Sequence, residues 1–456
     1  MTALGMIFAG AYAIALFGGR RWVLLVLASS ISFNDSIVMA LGTATITPFY
    51  LGLIVYLLSS FTVWRREPLQ NGQLPGRLVL IIMFIYCSVI TAISPVLFAG
   101  LGVISAADGI DQQVASLTPL GFTSSNLAQV AYLLLNVIFV LRSQRDGTFG
   151  SRHLTVGFAI GALVACSSFI GGAWPHAIFD NSPRGFYTIE TGRLRGQFSE
   201  PSHLGAFAVA ASIYFGARLA RVRSLRTFVV YGVLVSMALT LLIASASGTA
   251  AVGLGAALLA MLAVSLRTSQ FKKAVRIRVP VFLGGIAALV ALIVLLPSLF
   301  DMINTIVQSK FGSVSLTDRT LVDQNSITVF LKTFLLGAGD GSNRGSSLLL
   351  MLLSQIGLVG TALFLRAVSI SVFRGLSKHS EVPAALALIG FLSSAFVSLP
   401  DFASPILWAL IAVTFSSQQS CIAGSGELSG FGSDPQMSAR SALTIEVAIA
   451  AGRTMQ

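Results

Sequence analysis

Apolar residues run through this chain in long unbroken blocks rather than in the alternating pattern of a strand or the one-faced pattern of a half-buried helix. A helix that crosses a bilayer needs about 20 mostly apolar residues. The blocks predict such helices near 2–17, 22–40, 47–64, 78–99, 125–141, 154–173, 204–220, 227–245, 248–266, 279–297, 347–366, 382–399 and 403–417. The expected fold is therefore all-α, a polytopic integral membrane protein of about 12–13 spans. The first block, Leu4 to Phe17, comes before Arg20 and Arg21 and lacks the basic start of a cleaved signal, so it reads as the first span. Two long connections divide the rest. The expected organisation is N-terminal helices over 1–173, a loop over 174–203, central helices over 204–297, a loop over 298–346, C-terminal helices over 347–417 and a flexible Gly/Ser-rich tail over 418–456. Within the second loop, Leu321 to Leu336 places Ile327, Phe330, Leu331, Phe334 and Leu335 at helical spacing. That predicts a short helix lying on the membrane surface or packed over the bundle. The stretch 100–124, with Ile104, Ile110, Val114, Leu117 and Leu120, is a weaker version of the same pattern.

Composition supports this reading. Of 456 residues, 55% are hydrophobic and 10% charged, whereas a soluble domain carries about a quarter charged residues. The net charge of +12 could suggest a nucleic-acid partner, but its placement argues otherwise. Every second short connection is basic, from Arg20/Arg21 through Arg65/Arg66/Arg77, Arg142/Arg145/Arg152, Arg218 to Arg226, Arg267 to Arg278 and Arg366/Arg374/Lys378 to the tail. These hold 22 of the 29 Lys and Arg residues, as the positive-inside bias requires. Arg184, Arg193, Arg195, Lys310, Arg319, Lys332 and Arg344 fall in the two long loops, which the same bias puts outside. Cys87, Cys166 and Cys421 have no ligand-like spacing, so neither a disulfide nor a metal site is expected.

The outer loops hold the candidate chemistry. Gly192 to Gly205 carries Arg193, Arg195, Glu200, Pro201 and His203. Pro201 suits the first turn of the following helix, and Glu200 beside it reads either as a cap or as a functional carboxylate. Glu200 and His203 are three apart, so both fall on one helical face. Two arginines, a carboxylate and an imidazole in so short a stretch could bind a phosphate and supply a general base. Gly337 to Ser347 lacks the Gly-Lys-Ser/Thr of a P-loop. It reads either as a hinge with serine caps or as an oxyanion cradle in which Arg344, Ser346, Ser347 and backbone N–H groups meet a helix start. Asp318-Arg319 reads as a local pair or as part of the same site, and Gln355 is expected to face protein rather than lipid. His176, after Trp174 and Pro175, is a weak interfacial candidate, and Arg184 and Lys310 read as turn and solvated residues.

Three stretches together resemble the Wzy-type O-antigen polymerase and O-antigen ligase superfamily of bacterial envelope enzymes. These are Arg193 to Gly205 with its Phe-Ser-Glu-Pro core, Asp318-Arg319 followed by a helix and Leu336-Gly337-Ala338-Gly339, and Ser346 to Gly360. The resemblance implies a glycosyltransferase without metal or other cofactor, in the bacterial inner membrane with its site facing the periplasm. It would act on undecaprenyl-diphosphate-linked oligosaccharide donor and acceptor, with flippase and chain-length regulator proteins as further partners and no nucleic acid. It further implies that Arg195 and Arg319, with Arg193 and Arg344, hold the diphosphate, that Glu200 or His203 serves as base, and that Ser346 and Ser347 contact substrate. Ligases of this family carry a His and a Glu about where Ser346 and Gln355 stand here, which favours a polymerase. The rival class is a transporter or lipid flippase. It would be marked by ionisable groups at mid-membrane and by broken helices, whereas the charges here are expected outside the spans.

Overall fold

The computed structural model describes residues 1–41, 44–60, 74–104, 117–170, 193–267 and 314–416. The expected span at 279–297, the loop segments 174–192 and 298–313 with His176, Arg184 and Lys310, and the tail 418–456 lie outside the described residues.

Thirteen helices are described: α1 (Ala3–Phe17), α2 (Arg20–Ser29), α3 (Pro48–Ser60), α4 (Leu74–Leu97), α5 (Ser124–Asp146), α6 (Ser151–Ser167), α7 (Pro201–Leu219), α8 (Leu225–Ser245), α9 (Gly248–Arg267), α10 (Val314–Lys332), α11 (Leu348–Ser377), α12 (Val382–Ser398) and α13 (Pro405–Ser416). Two short antiparallel ribbons accompany them, β1 (Met39–Leu41) with β2 (Ala44–Ile46), and β3 (Gly102–Val103) with β4 (Thr118–Pro119). Segments within α4, α5, α8 and α11 are long and apolar enough to cross a membrane. Ile82, Ile85, Val89, Ile93 and Val96 of α4 and Phe228, Val229, Val230 and Val233 of α8 are exposed. Apolar faces of that extent in a helical bundle are compatible with an all-α membrane protein.

The interior is organised around α7, almost entirely buried and rich in small residues, which packs against α8, α9 and α12. Glycines permit the close approach: a Cβ on Gly205 would lie 2.8 Å from Ser247 Cβ, and one on Gly253 would lie 2.5 Å from the Gly390 carbonyl oxygen.

The two ends of the bundle differ in charge. At one end Arg20 donates to Tyr56 and Thr148, Arg77 to Gln144 and Arg218 to Tyr214. At the other end, contacts join Asn34 to Asp401, Asp35 to Ser199, Arg193 to Ser245 and Ser94 to Gly337.

Three expectations need correction. The block 22–40 is not one helix: α2 ends at Ser29, a single 3₁₀ turn covers Ser30–Ser32, and the chain turns back through β1. Ser29, Ser30, Ser32, Asn34 and Asp35 offer side-chain partners that compete with helical backbone bonds. The amphipathic run stops as a helix at Lys332, and its inward face is Ser326, Val329 and Thr333. Ile327, Leu331 and Phe334 point outward, Phe334 with 80% of its surface exposed, so the helix packs over the bundle against α11 through Ser326 and Val329 rather than through the apolar stripe. Finally, α11 is not continuous. Gly357 has φ 66° and ψ −171°, and the helix restarts beyond it, running past Arg366 and Arg374 to Ser377.

Candidate functional site

The break in α11 is filled by the segment that precedes the helix. Ala338 N–H donates to the Ser354 carbonyl at 2.8 Å, Gly339 N–H to the Gln355 carbonyl at 2.8 Å, and Leu358 N–H to the Leu335 carbonyl at 2.8 Å. Backbone groups freed by the break are thus satisfied within the protein, as buried backbone requires. Three further N–H groups of the turn are spent similarly: Gly337 on Thr333 Oγ1, Asp340 on Thr91 Oγ1 and Arg344 on the Ile104 carbonyl. Ser347 caps α11 by accepting from Leu350 N–H. The turn is therefore a plug that caps α11, and the N–H groups of Gly337 to Asp340, Ser342 and Arg344 are committed to acceptors within the protein. As expected, Gln355 faces protein, donating to the Asn343 carbonyl at 2.6 Å.

The second constellation is built at the start of α7. Gly196, with φ 60°, turns the chain so that Phe198 N–H returns to the Arg195 carbonyl. Arg195 is buried and donates from Nη1 to the Phe198 carbonyl at 3.1 Å, while Arg193 Nε donates to the Ser245 carbonyl at 3.1 Å. Gln197 ties the same turn to the Gly161 carbonyl of α6. These bonds fix the approach to Pro201, which opens α7 where a missing N–H costs nothing.

Glu200 occupies the N-cap position, yet its side chain makes no capping bond. Its Oε2 instead accepts from Ser202 Oγ at 2.9 Å and lies 3.9 Å from Arg319 Nη2 of α10, the two side chains 16% and 33% exposed. This ion pair joins the two loop regions singled out in the sequence. One turn along α10, Asp323 accepts from Ser346 Oγ, so Arg319 and Asp323 present a polar face toward α7 and α11.

His203 does not stand alone. Its Nδ1 lies 2.9 Å from Asp35 Oδ2, which also accepts from Ser199 N–H at 2.7 Å and Ser199 Oγ at 2.9 Å. Burial alone would lower the imidazole pKa, but the charge and hydrogen bond of Asp35, followed by the charges of Glu200 and Asp401, raise it to about 9. Burial pushes Asp35 upward, and the His203 charge, with bonds from His203 and Ser199, outweighs it and holds the carboxyl at about 2. The pair is imidazolium and carboxylate at neutral pH. As an imidazolium, His203 donates protons rather than accepting them, so of the two bases weighed from the sequence Glu200 alone has a lone pair to offer.

Glu200, His203 and Arg319 are thus brought together. Arg193 and Arg195 adjoin them with their guanidinium groups on backbone carbonyls, Ser346 joins through Asp323, and Arg344 and Ser347 belong to the plug. Sequence reasoning missed Asp35, Asp323, Asp340 and Asp401. Asn34-Asp35 inside a block read as membrane-spanning was the available signal, because an ionisable residue there demands a partner. Asp323 lies four residues beyond Arg319, the spacing of neighbours on one helical face. Among the described residues no group of three or more His, Cys, Asp and Glu converges to hold a metal ion. No protein-family model and no curated protein matches the chain.

Proposed function

We propose that this protein is a bacterial polysaccharide polymerase that joins undecaprenyl-diphosphate-linked repeat units on the periplasmic face of the inner membrane, within a polytopic bundle of about 12–13 spans. The observation that carries the reading is the Glu200–Arg319 contact at 3.9 Å beside the His203 imidazolium. One carboxylate and two cationic donors meet where the two motif-bearing loops converge.

In this reaction an acceptor sugar hydroxyl attacks the anomeric carbon of the donor. The new C–O bond forms as the bond to the diphosphate breaks, the hydroxyl proton passes to Glu200, and undecaprenyl diphosphate leaves with the electron pair. Arg319 and the His203 imidazolium stabilise the charge that develops on the leaving phosphate. Arg195 and Arg193 hold the loop that positions Glu200 and add positive potential, Arg344 adds to it from the plug, and Ser346 and Ser347 line the acceptor side.

The test is the purified full-length protein with a lipid-diphosphate-linked repeat unit and no nucleotide sugar. Longer lipid-linked glycan is expected, and Glu200→Gln is expected to slow its formation by about 10²–10⁴-fold, the usual contribution of a positioned base. A Glu200→Gln protein that elongates at the parental rate would remove the base assignment.

A second reading, a polyprenyl-linked-sugar flippase or transporter, gains from the break in α11 at Gly357 and from a buried carboxyl, Asp340, packed beside it. Discontinuous helices with ionisable groups are what such proteins use at their substrate sites. Vectorial movement of the lipid-linked unit without new glycosidic bonds, in the same preparation, would select this reading over the polymerase.

A further inference from the structure

Asp340 lies in the plug, with 1% of its surface exposed. Its N–H is held by Thr91 Oγ1 at 2.9 Å and its carbonyl by Asn126 Nδ2 at 2.7 Å, so its position is fixed from α4 and from α5. The carboxyl is far less well served. Gly341 N–H donates to it, and among the described residues the fully buried Oδ2 has no partner. A carboxylate left so is costly, whereas a neutral acid is not.

The groups around it are of the wrong kind to hold a negative charge. Cys87 of α4 and Tyr50 of α3 are the titratable side chains that sense it, and Tyr50 senses Asp401 as well. The plug's contacts on α5 and α11 are uncharged, with the Asn126 amide and Ser125 carbonyl from the first and Ser354 and Gln355 from the second. No cation is among the groups that shift it. A carbonyl without its helical donor faces the same turn. Pro95 sits inside α4 and has no N–H, so the Thr91 carbonyl loses its ordinary helical donor. A Cβ on Gly339 would lie 3.5 Å from that carbonyl oxygen.

We propose that Asp340 is a proton-binding site, its Oδ2 carrying a proton that passes to water when the Gly337–Ser342 turn lifts from the break in α11 and returns when the turn closes. Burial raises the Asp340 pKa to about 7, so the site changes occupancy near neutrality. The proton therefore reports on, and biases, the seating of the segment that carries Arg344, Ser346 and Ser347. This site stands whether the protein polymerises glycan or moves it.

The experiment is infrared difference spectroscopy on the full-length protein in lipid nanodiscs, stepped between about pH 5 and about pH 9, a range that brackets the site and lies above ordinary carboxyl values. A protonated-carboxyl stretch is expected that disappears with a midpoint near 7, that is lost in Asp340→Asn and that persists in Asp35→Asn. Should Asp340→Asn not insert, Asp340→Glu provides the assignment by moving the frequency of the same band. A parental spectrum with no such band, or one that neither Asp340 variant alters, overturns the proposal. So does loss of the band at fixed pH on replacing potassium by sodium, which would identify a metal cation rather than a proton.

Discussion

His203 and Asp35 show how a single contact decides the chemistry a residue can perform. Burial opposes the charge on each, and each stays charged because the other is 2.9 Å away. The pair makes stability depend on pH in a defined way. His203, raised from 6.5 to about 9, contributes stability that is whole below pH 6.5 and lost as pH rises through about 9. Asp35, lowered from 3.8 to about 2, contributes stability that is whole above pH 3.8 and lost as pH falls through about 2. Thermal unfolding of the full chain should therefore show this contribution complete between those two reference values and declining toward pH 9. Asp35→Asn or His203→Gln alone should cost about 1–3 kcal/mol, because each leaves a buried polar partner without its hydrogen bond. The double variant should cost less than the sum, and a strictly additive cycle would mean that the contact contributes no coupling.

At the scale of elements, the apolar blocks at 227–245, 248–266 and 382–399 correspond closely to α8 (Leu225–Ser245), α9 (Gly248–Arg267) and α12 (Val382–Ser398). Burial or lipid contact along their whole length needs nothing but continuous apolar sequence, so these helices are readable from composition. The break in α11 is not. Gly357 looks like any glycine in an apolar run, and what breaks the helix is a partner some twenty residues upstream that supplies three backbone hydrogen bonds. The site divides the same way. Glu200, His203 and Arg319 were legible as unusual polar residues near helix starts, while Asp35 was hidden because its partner lies 168 residues away. Gly357→Ala tests the break directly. A Cβ there would lie 2.3 Å from the Leu335 carbonyl oxygen at a φ of +66°, and the backbone strain alone is about 1–3 kcal/mol. Gly232 of α8 has nothing within 4 Å of its Cβ position, so Gly232→Ala should stabilise by about 0.5–1 kcal/mol. If unfolding in detergent shows both variants shifted alike, the plug does not hold the break.

Across the whole molecule, the contacts sort charge by end. Arg20, Arg77, Arg142 and Arg145 gather where α2 and α4 begin and α5 ends, and Arg218, Arg221 and Arg374 lie near the ends of α7 and α11. Asp35, Glu200, Asp323, Asp340 and Asp401 gather where α7 and α11 begin and α12 ends, together with Arg193, Arg195, Arg319 and Arg344. One end is basic almost without relief, and the other mixes both signs around buried carboxylates. The orientation we propose puts the basic end in the cytoplasm, because positive residues near helix ends resist translocation. In that proposed orientation the mixed end would face outward, where a lipid-linked diphosphate would meet Arg319 and His203. Thiol labelling of intact cells with a membrane-impermeant reagent checks this orientation at two exposed positions. Gln324→Cys, on α10 beside the site, should be labelled from outside, and Ser224→Cys, in the basic turn between α7 and α8, should be labelled only after the membrane is opened. The opposite pattern would turn the candidate site toward the cytoplasm, where its charges could not serve a periplasmic reaction.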